Sequence, residues 1–138
     1  MTNASSKLPR SFQTSFVASY NVGTGERIWY RYAPDGASIH HNISPDGKLF
    51  CGDGDKGNPG IFLLRPTLAA NHQTLGDHLI RGGYLKSEKL ANLPKHDYKL
   101  EPNPIFTPDQ KWIMFRSNMF NGVTYGFAVE VAKADAPH

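Results

Sequence analysis

The stretch Ile43-Ser-Pro-Asp-Gly-Lys-Leu-Phe50 returns 63 residues later as Phe106-Thr-Pro-Asp-Gln-Lys-Trp-Ile113. Each copy predicts a strand, a tight turn and a second strand. Pro45 and Pro108 preset the backbone angle at the second position of a type I turn, and the preceding Ser44 or Thr107 can bond back to the chain. The lysine after the turn opens an apolar second strand. One such turn predicts only a hairpin. Two copies with matched flanks predict a repeated unit.

On either side of these turns, short apolar runs alternate with turn residues. Phe16-Val-Ala-Ser-Tyr20 and Ile28-Trp-Tyr-Arg-Tyr32 flank Asn21-Val-Gly-Thr-Gly-Glu26. Two glycines in a short polar link between aromatic runs predict a hairpin. Ala33-Pro-Asp-Gly36 predicts a turn. Gly60–Leu64 and Gly83–Leu90 read as the third and fourth strands of the first unit, and Val123–Val131 as the third strand of the second. Between them, 65–82 reads as an insertion with a weak helical signal over Thr74–Ile80.

The expected architecture is all-β: a partial β-propeller of about two to three four-stranded antiparallel blades. Residues 1–14 form a polar lead-in, 15–132 the blades and 133–138 a tail. Within the blades, one complete unit covers about 37–93 and a partial unit about 98–132. Propellers repeat a blade of roughly 40–50 residues four to eight times, so 138 residues fall short of a closed ring. Either the chain is part of a longer protein or other copies complete the array, and an open sheet edge would favour a homo-oligomer.

Composition narrows the function classes. Fifteen Lys and Arg stand against 12 Asp and Glu, with no basic run, which argues against nucleic acid as a partner. Cys51 is the lone cysteine, so no intrachain disulfide is expected. The first 15 residues lack an apolar core and no stretch reaches the ~20 apolar residues of a membrane span. A cytoplasmic setting with no membrane partner is the expectation.

Two stretches carry a family resemblance. Ile39-His-His-Asn-Ile-Ser-Pro-Asp-Gly-Lys-Leu-Phe-Cys-Gly-Asp-Gly54 resembles a blade of the oligogalacturonate lyases. So does Leu93-Pro-Lys-His-Asp-Tyr-Lys-Leu-Glu-Pro-Asn-Pro-Ile-Phe-Thr-Pro-Asp-Gln-Lys-Trp-Ile-Met-Phe-Arg-Ser-Asn-Met119. The Gly-Asp-Gly and Phe-Arg-Ser-Asn-Met runs are the more specific parts. The resemblance spans roughly Phe16 to Val131 and implies C-terminal blades of a seven-bladed propeller. It also implies metal-assisted β-elimination of short acidic pectin oligosaccharides, with manganese as the metal. By position it makes His40 a metal ligand and places Glu101 and Asn103 where the family carries two further ligand histidines. The family's proton-abstracting histidine belongs upstream of Phe16, and this chain shows no counterpart.

The residues themselves leave alternatives open. His40 and His41 are adjacent, so on a strand they point to opposite faces. His40 is either a ligand or a hydrogen-bonded strand histidine. Glu101 and Asn103 alternate, so on a strand they would share a face, contacting a metal or capping the strand before Pro104. Oxygen donors suit manganese as well as imidazole does. Lys95 and His96 could meet a substrate carboxylate or sit in a solvated loop. Arg116 could grip a uronate through a bidentate fork or make a structural pair. Asp53 and Asp55 suggest a cation loop, but the later glutamate of an EF-hand is missing, and a tight turn is the preferred reading. His72 and His78 show no partner pattern. The competing functions are a lyase, a non-catalytic binding module and a truncated propeller piece.

Overall fold

The structure is a computed structural model that describes residues 16–33, 36–67 and 79–132. These residues form strands and turns, with no helix among them. The strands are β1 (Phe16–Tyr20), β2 (Arg27–Tyr32), β3 (His41–Ile43), β4 (Phe50–Asp55), β5 (Asn58–Thr67), β6 (Leu79–Asn92), β7 (Ile105–Phe106), β8 (Trp112–Phe120) and β9 (Val123–Glu130). The protein is therefore all-β over the described residues.

The two repeated turns are the same device built twice. In the first, Ser44 N–H donates to Leu49 O at 2.8 Å and Gly47 N–H to Ser44 O at 2.8 Å. In the second, Thr107 N–H donates to Trp112 O at 2.9 Å and Gln110 N–H to Thr107 O at 2.8 Å. The turn aspartate accepts from the hydroxyl two residues earlier and from the lysine N–H two residues later: Ser44 and Lys48 on Asp46, Thr107 and Lys111 on Asp109. Local hydrogen bonding by Ser, Thr and Asp is what makes these residues turn formers. The position after the aspartate is left-handed in both, Gly47 at φ 74° and Gln110 at φ 61°.

From the first turn the chain runs as an antiparallel meander, β3 to β4 to β5 to β6. The strands read at Gly60–Leu64 and Gly83–Leu90 lie within β5 and β6. One correction concerns the blade itself. The antiparallel four are not a separate sheet but part of a six-stranded one, ordered β1-β2-β6-β5-β4-β3. The cause is the length of β6. Its later half pairs with β5 from Tyr84 to Asn92, and its first half pairs in parallel with β2 from Leu79 to Leu85. An unpaired strand edge needs partners for its backbone groups, and the β1–β2 hairpin supplies them. A second correction is that Leu79 and Ile80, included in the suggested helix, are strand. Thr74–His78, the lead-in 1–14, His72 and the tail 133–138 lie outside the described residues.

The second copy forms a three-stranded sheet, β7-β8-β9. It packs on one face of the meander. Cys51, Ile61 and Leu63 from β4 and β5 meet Phe106, Ile113 and Phe115 from β7 and β8. Phe115 and Phe127 stack at 5.5 Å. On the other face, Phe50, Phe62 and Leu64 meet Val17, Tyr30 and Tyr32, because the sheet curls and brings β1 and β2 over it. Strand β5 is thus buried on both sides, with Ile61, Leu63 and Leu64 fully enclosed. Each such side chain contributes about 1.5–3 kcal/mol by leaving water. No described helix is long and apolar enough to cross a membrane.

Candidate functional site

The first turn fixes the register that builds the site. It pairs Ile43 with Phe50, Asn42 with Cys51 and His41 with Gly52. One step further out, Asp53 faces His40, and Asp53 N–H donates to His40 O at 3.3 Å. The Asp53 carboxylate then holds His40 twice. Oδ1 accepts the His40 backbone N–H at 2.8 Å, and Oδ2 lies 3.0 Å from ring Nδ1. The Asp53 side chain is fully buried, while that of His40 is 38% exposed. One end of the imidazole is therefore fixed inside the protein and the other faces outward.

The glycines around Asp53 make this seat possible. A Cβ on Gly52 would collide with the Ser38 hydroxyl, which itself accepts the Gly54 N–H at 3.0 Å. Gly54 has φ +65°, and a Cβ there would strike the Asn58 carbonyl. Left-handed backbone in close contact is the situation only glycine tolerates. The tight turn lies just beyond, where Asp55 Oδ1 accepts the N–H groups of Gly57 and Asn58. Asp55 thus fits the turn reading. Asp53 does not, because it is a buried strand residue bound to His40. The sequence signal for it was the hairpin register, which places residue 53 across from residue 40.

Glu101 closes the outer end. Its Oε2 stands 3.6 Å from His40 Nε2. It belongs to the segment 100–104, which precedes β7 and is not a strand, so alternation along a strand does not relate Glu101 to Asn103. Pro102 and Pro104 are fully buried and anchor the segment. Asn103 between them is exposed with φ +48°. Arg116 fastens the same segment. Its backbone N–H donates to Pro102 O at 3.0 Å and its Nε to Glu101 O at 2.8 Å. The groups that reach His40 are Asp53 and Glu101, and Asn103 is not among them.

The remaining predicted residues take different roles. His96 has both ring nitrogens engaged, Nε2 donating to Leu100 O and Nδ1 meeting Ser117 Oγ, each at 2.7 Å. Its ring packs edge-on against Tyr98 at 4.7 Å. Tyr98 in turn donates to Asp53 O at 2.6 Å, and burial pushes its phenol up to about 12, with Asp53 and Asp55 adding to the rise. Lys95 is exposed at φ +61°. His41 points to the other side of β3, where Nδ1 meets Tyr32 OH at 3.3 Å and the ring lies 6.3 Å from Phe50. Burial lowers its pKa below the usual 6.5, against the pull of Asp53. A cleft of about 280 Å³ lined by Tyr20, Glu26, Tyr30 and Phe50 lies elsewhere and includes none of the predicted site residues.

The described residues contain no group of three or more His, Cys, Asp and Glu side chains that could hold a metal. His40 and Glu101 offer two donors. Donors that share an ion at about 2.0–2.2 Å stand roughly 3–3.5 Å apart, so 3.6 Å needs only a small side-chain rotation. A carboxylate behind the far nitrogen of a histidine is also the usual support of a metal-binding imidazole. The pair fits half of a divalent-cation site in kind and spacing.

No protein-family model, no curated protein and no solved structure matches the chain. The likeness to oligogalacturonate lyases therefore rests on the quoted motifs.

Proposed function

We propose that the chain is a propeller-type module in which His40 and Glu101 form part of a divalent-metal site for acidic oligosaccharides, as in the oligogalacturonate lyases. One observation carries this: the buried Asp53 carboxylate holds His40 Nδ1 and turns Nε2 toward the Glu101 carboxylate. Manganese accepts both imidazole and carboxylate. In this reading Arg116 anchors the segment that carries Glu101 and Asn103, and Lys95 is an exposed cation of the loop before it.

β-Elimination beside a uronate requires neutralisation of the carboxylate, a base for the adjacent C–H, and stabilisation of the enolate that develops. A bound divalent ion would supply the first and third of these. This chain's own residues hold His40 rigidly, keep its outer nitrogen exposed and place a carboxylate beside it. The base would come from further blades, supplied by a longer chain or by other copies, in a cytoplasmic setting.

A second reading, a module that binds without reacting, is favoured by the side chains around His40. The described ion-pair partners of its ring are two carboxylates, and His96 has both nitrogens occupied internally.

The test is digalacturonate added to the Mn²⁺-loaded full chain, followed by absorbance at the unsaturated-uronate band and by calorimetry. Rising absorbance establishes the lyase. Binding heat without absorbance shows that this chain binds the sugar acid without itself reacting. Absence of both removes the sugar-acid reading.

A further inference from the structure

We infer that Asp53 is a positioning residue that sets the tautomer of His40, keeping the ring proton on Nδ1 and leaving Nε2 as the atom that meets a cation or substrate. The inference rests on the proposed role of His40 but on separate geometry. An ionised carboxylate accepts hydrogen bonds and cannot donate. Asp53 Oδ1 already takes the His40 backbone N–H at 2.8 Å, which fixes the carboxylate plane relative to the ring. Oδ2, 3.0 Å from Nδ1, is then satisfied when Nδ1 carries the proton. With the ring neutral, Nε2 presents its lone pair on the Glu101 side.

Four features hold Asp53 to this task. The side chain is fully buried, so water does not compete for Oδ2. Gly52 leaves room for Ser38, whose hydroxyl holds Gly54 N–H. Gly54 supplies the left-handed backbone after Asp53. Tyr98 OH clamps the Asp53 carbonyl. A carboxylate needed only for hairpin stability would not require this enclosure, because the strand pairing is already set by the turn. The Gly-Asp-Gly motif is thus a seat for one oriented carboxylate beneath one histidine.

The substitution Asp53→Asn distinguishes the role. Asparagine can keep the bond to the His40 N–H through Oδ1. Its Nδ2 group then donates where Oδ2 accepted, so Nδ1 must become the acceptor and the proton moves to Nε2. Long-range ¹H–¹⁵N spectra of the full chain report which ring nitrogen is protonated. The expected result is Nδ1–H in the wild type, Nε2–H in D53N, and an unchanged wild-type pattern in Glu101→Gln. A wild-type ring protonated on Nε2 overturns the inference without recourse to any variant, so it stays testable if D53N does not fold. A folded D53N that keeps Nδ1–H also overturns it. Mn²⁺ affinity is the second readout, expected to fall about 10–100-fold in D53N. An inverted tautomer with unchanged Mn²⁺ affinity would support the positioning role while removing the metal reading, so the two failures are distinguishable.

Discussion

Asp46 N–H donates to Gln110 Oε1 at 2.7 Å, joining the tip of the first repeated turn to the tip of the second. The two turns are equivalent by 63 residues in sequence and touch in space. Their strands belong to the two sheets that enclose Cys51, Ile61 and Ile113, so the tie closes the end of that core. Gln110 has φ +61° where the first turn carries Gly47. Gln110→Ala loses the tie and keeps the strained backbone, so it is expected to destabilise by about 0.5–1 kcal/mol. Gln110→Gly loses the tie but relieves about 1 kcal/mol of strain and is expected to be near neutral. Urea midpoints of the two variants check the order.

The turn aspartates should titrate low. The Ser44 hydroxyl and the Lys48 N–H hold the Asp46 carboxyl below its ordinary 3.8, and the Thr107 hydroxyl and Lys111 N–H do the same for Asp109. A depressed folded pKa stabilises the fold above the unfolded value and loses that contribution as pH falls through the folded value. The turns should therefore loosen only in acid below pH ~4. Side-chain carboxyl NMR titration should show Asp46 rising toward 3.8 in Ser44→Ala and Asp109 rising in Thr107→Val.

Much of the fold was legible in the sequence, and the reasons are local. The Ser-Pro-Asp-Gly and Thr-Pro-Asp-Gln turns carry their own hydrogen-bond donors and acceptors, so residues 43–50 and 106–113 signal their turns locally. The β1–β2 hairpin was legible for the same reason. The parallel pairing of β2 with β6 was not, because nothing in Arg27–Tyr32 indicates which distant strand edge it will cover. At the site, His40 and Glu101 were singled out and the structure brings them together. For Asp53 the sequence favours a tight turn, because the later glutamate of a cation loop is missing. Its role follows from cross-strand register, which composition around residue 53 does not reveal.

Gly54→Ala should cost about 2–5 kcal/mol, combining left-handed strain with a clash against the Asn58 carbonyl. The same substitution displaces Asp53, so the loss of stability should be accompanied by a shift of the His40 ring resonances. Chemical denaturation and histidine spectra together check both parts.

Cys51 should be inert in the folded protein. It is fully buried, and burial pushes its thiol up to about 12, so thiolate is scarce at neutral pH. A thiol reagent should label it only after unfolding. Leu63→Ala, which opens a cavity between the two sheets, should cost about 2–5 kcal/mol and raise the labelling rate by the same factor as the unfolded population.

Paramagnetic broadening by Mn²⁺ speaks most directly to the idea that two separate hairpin units deliver one imidazole and one carboxylate to the same ion. Sub-stoichiometric Mn²⁺ added to the labelled full chain should broaden the His40 ring and the Glu101 side chain first, leave His96 and His41 sharper, and have no such effect in His40→Ala. Broadening centred on another part of the molecule, or the same pattern in wild type and His40→Ala, would contradict the account.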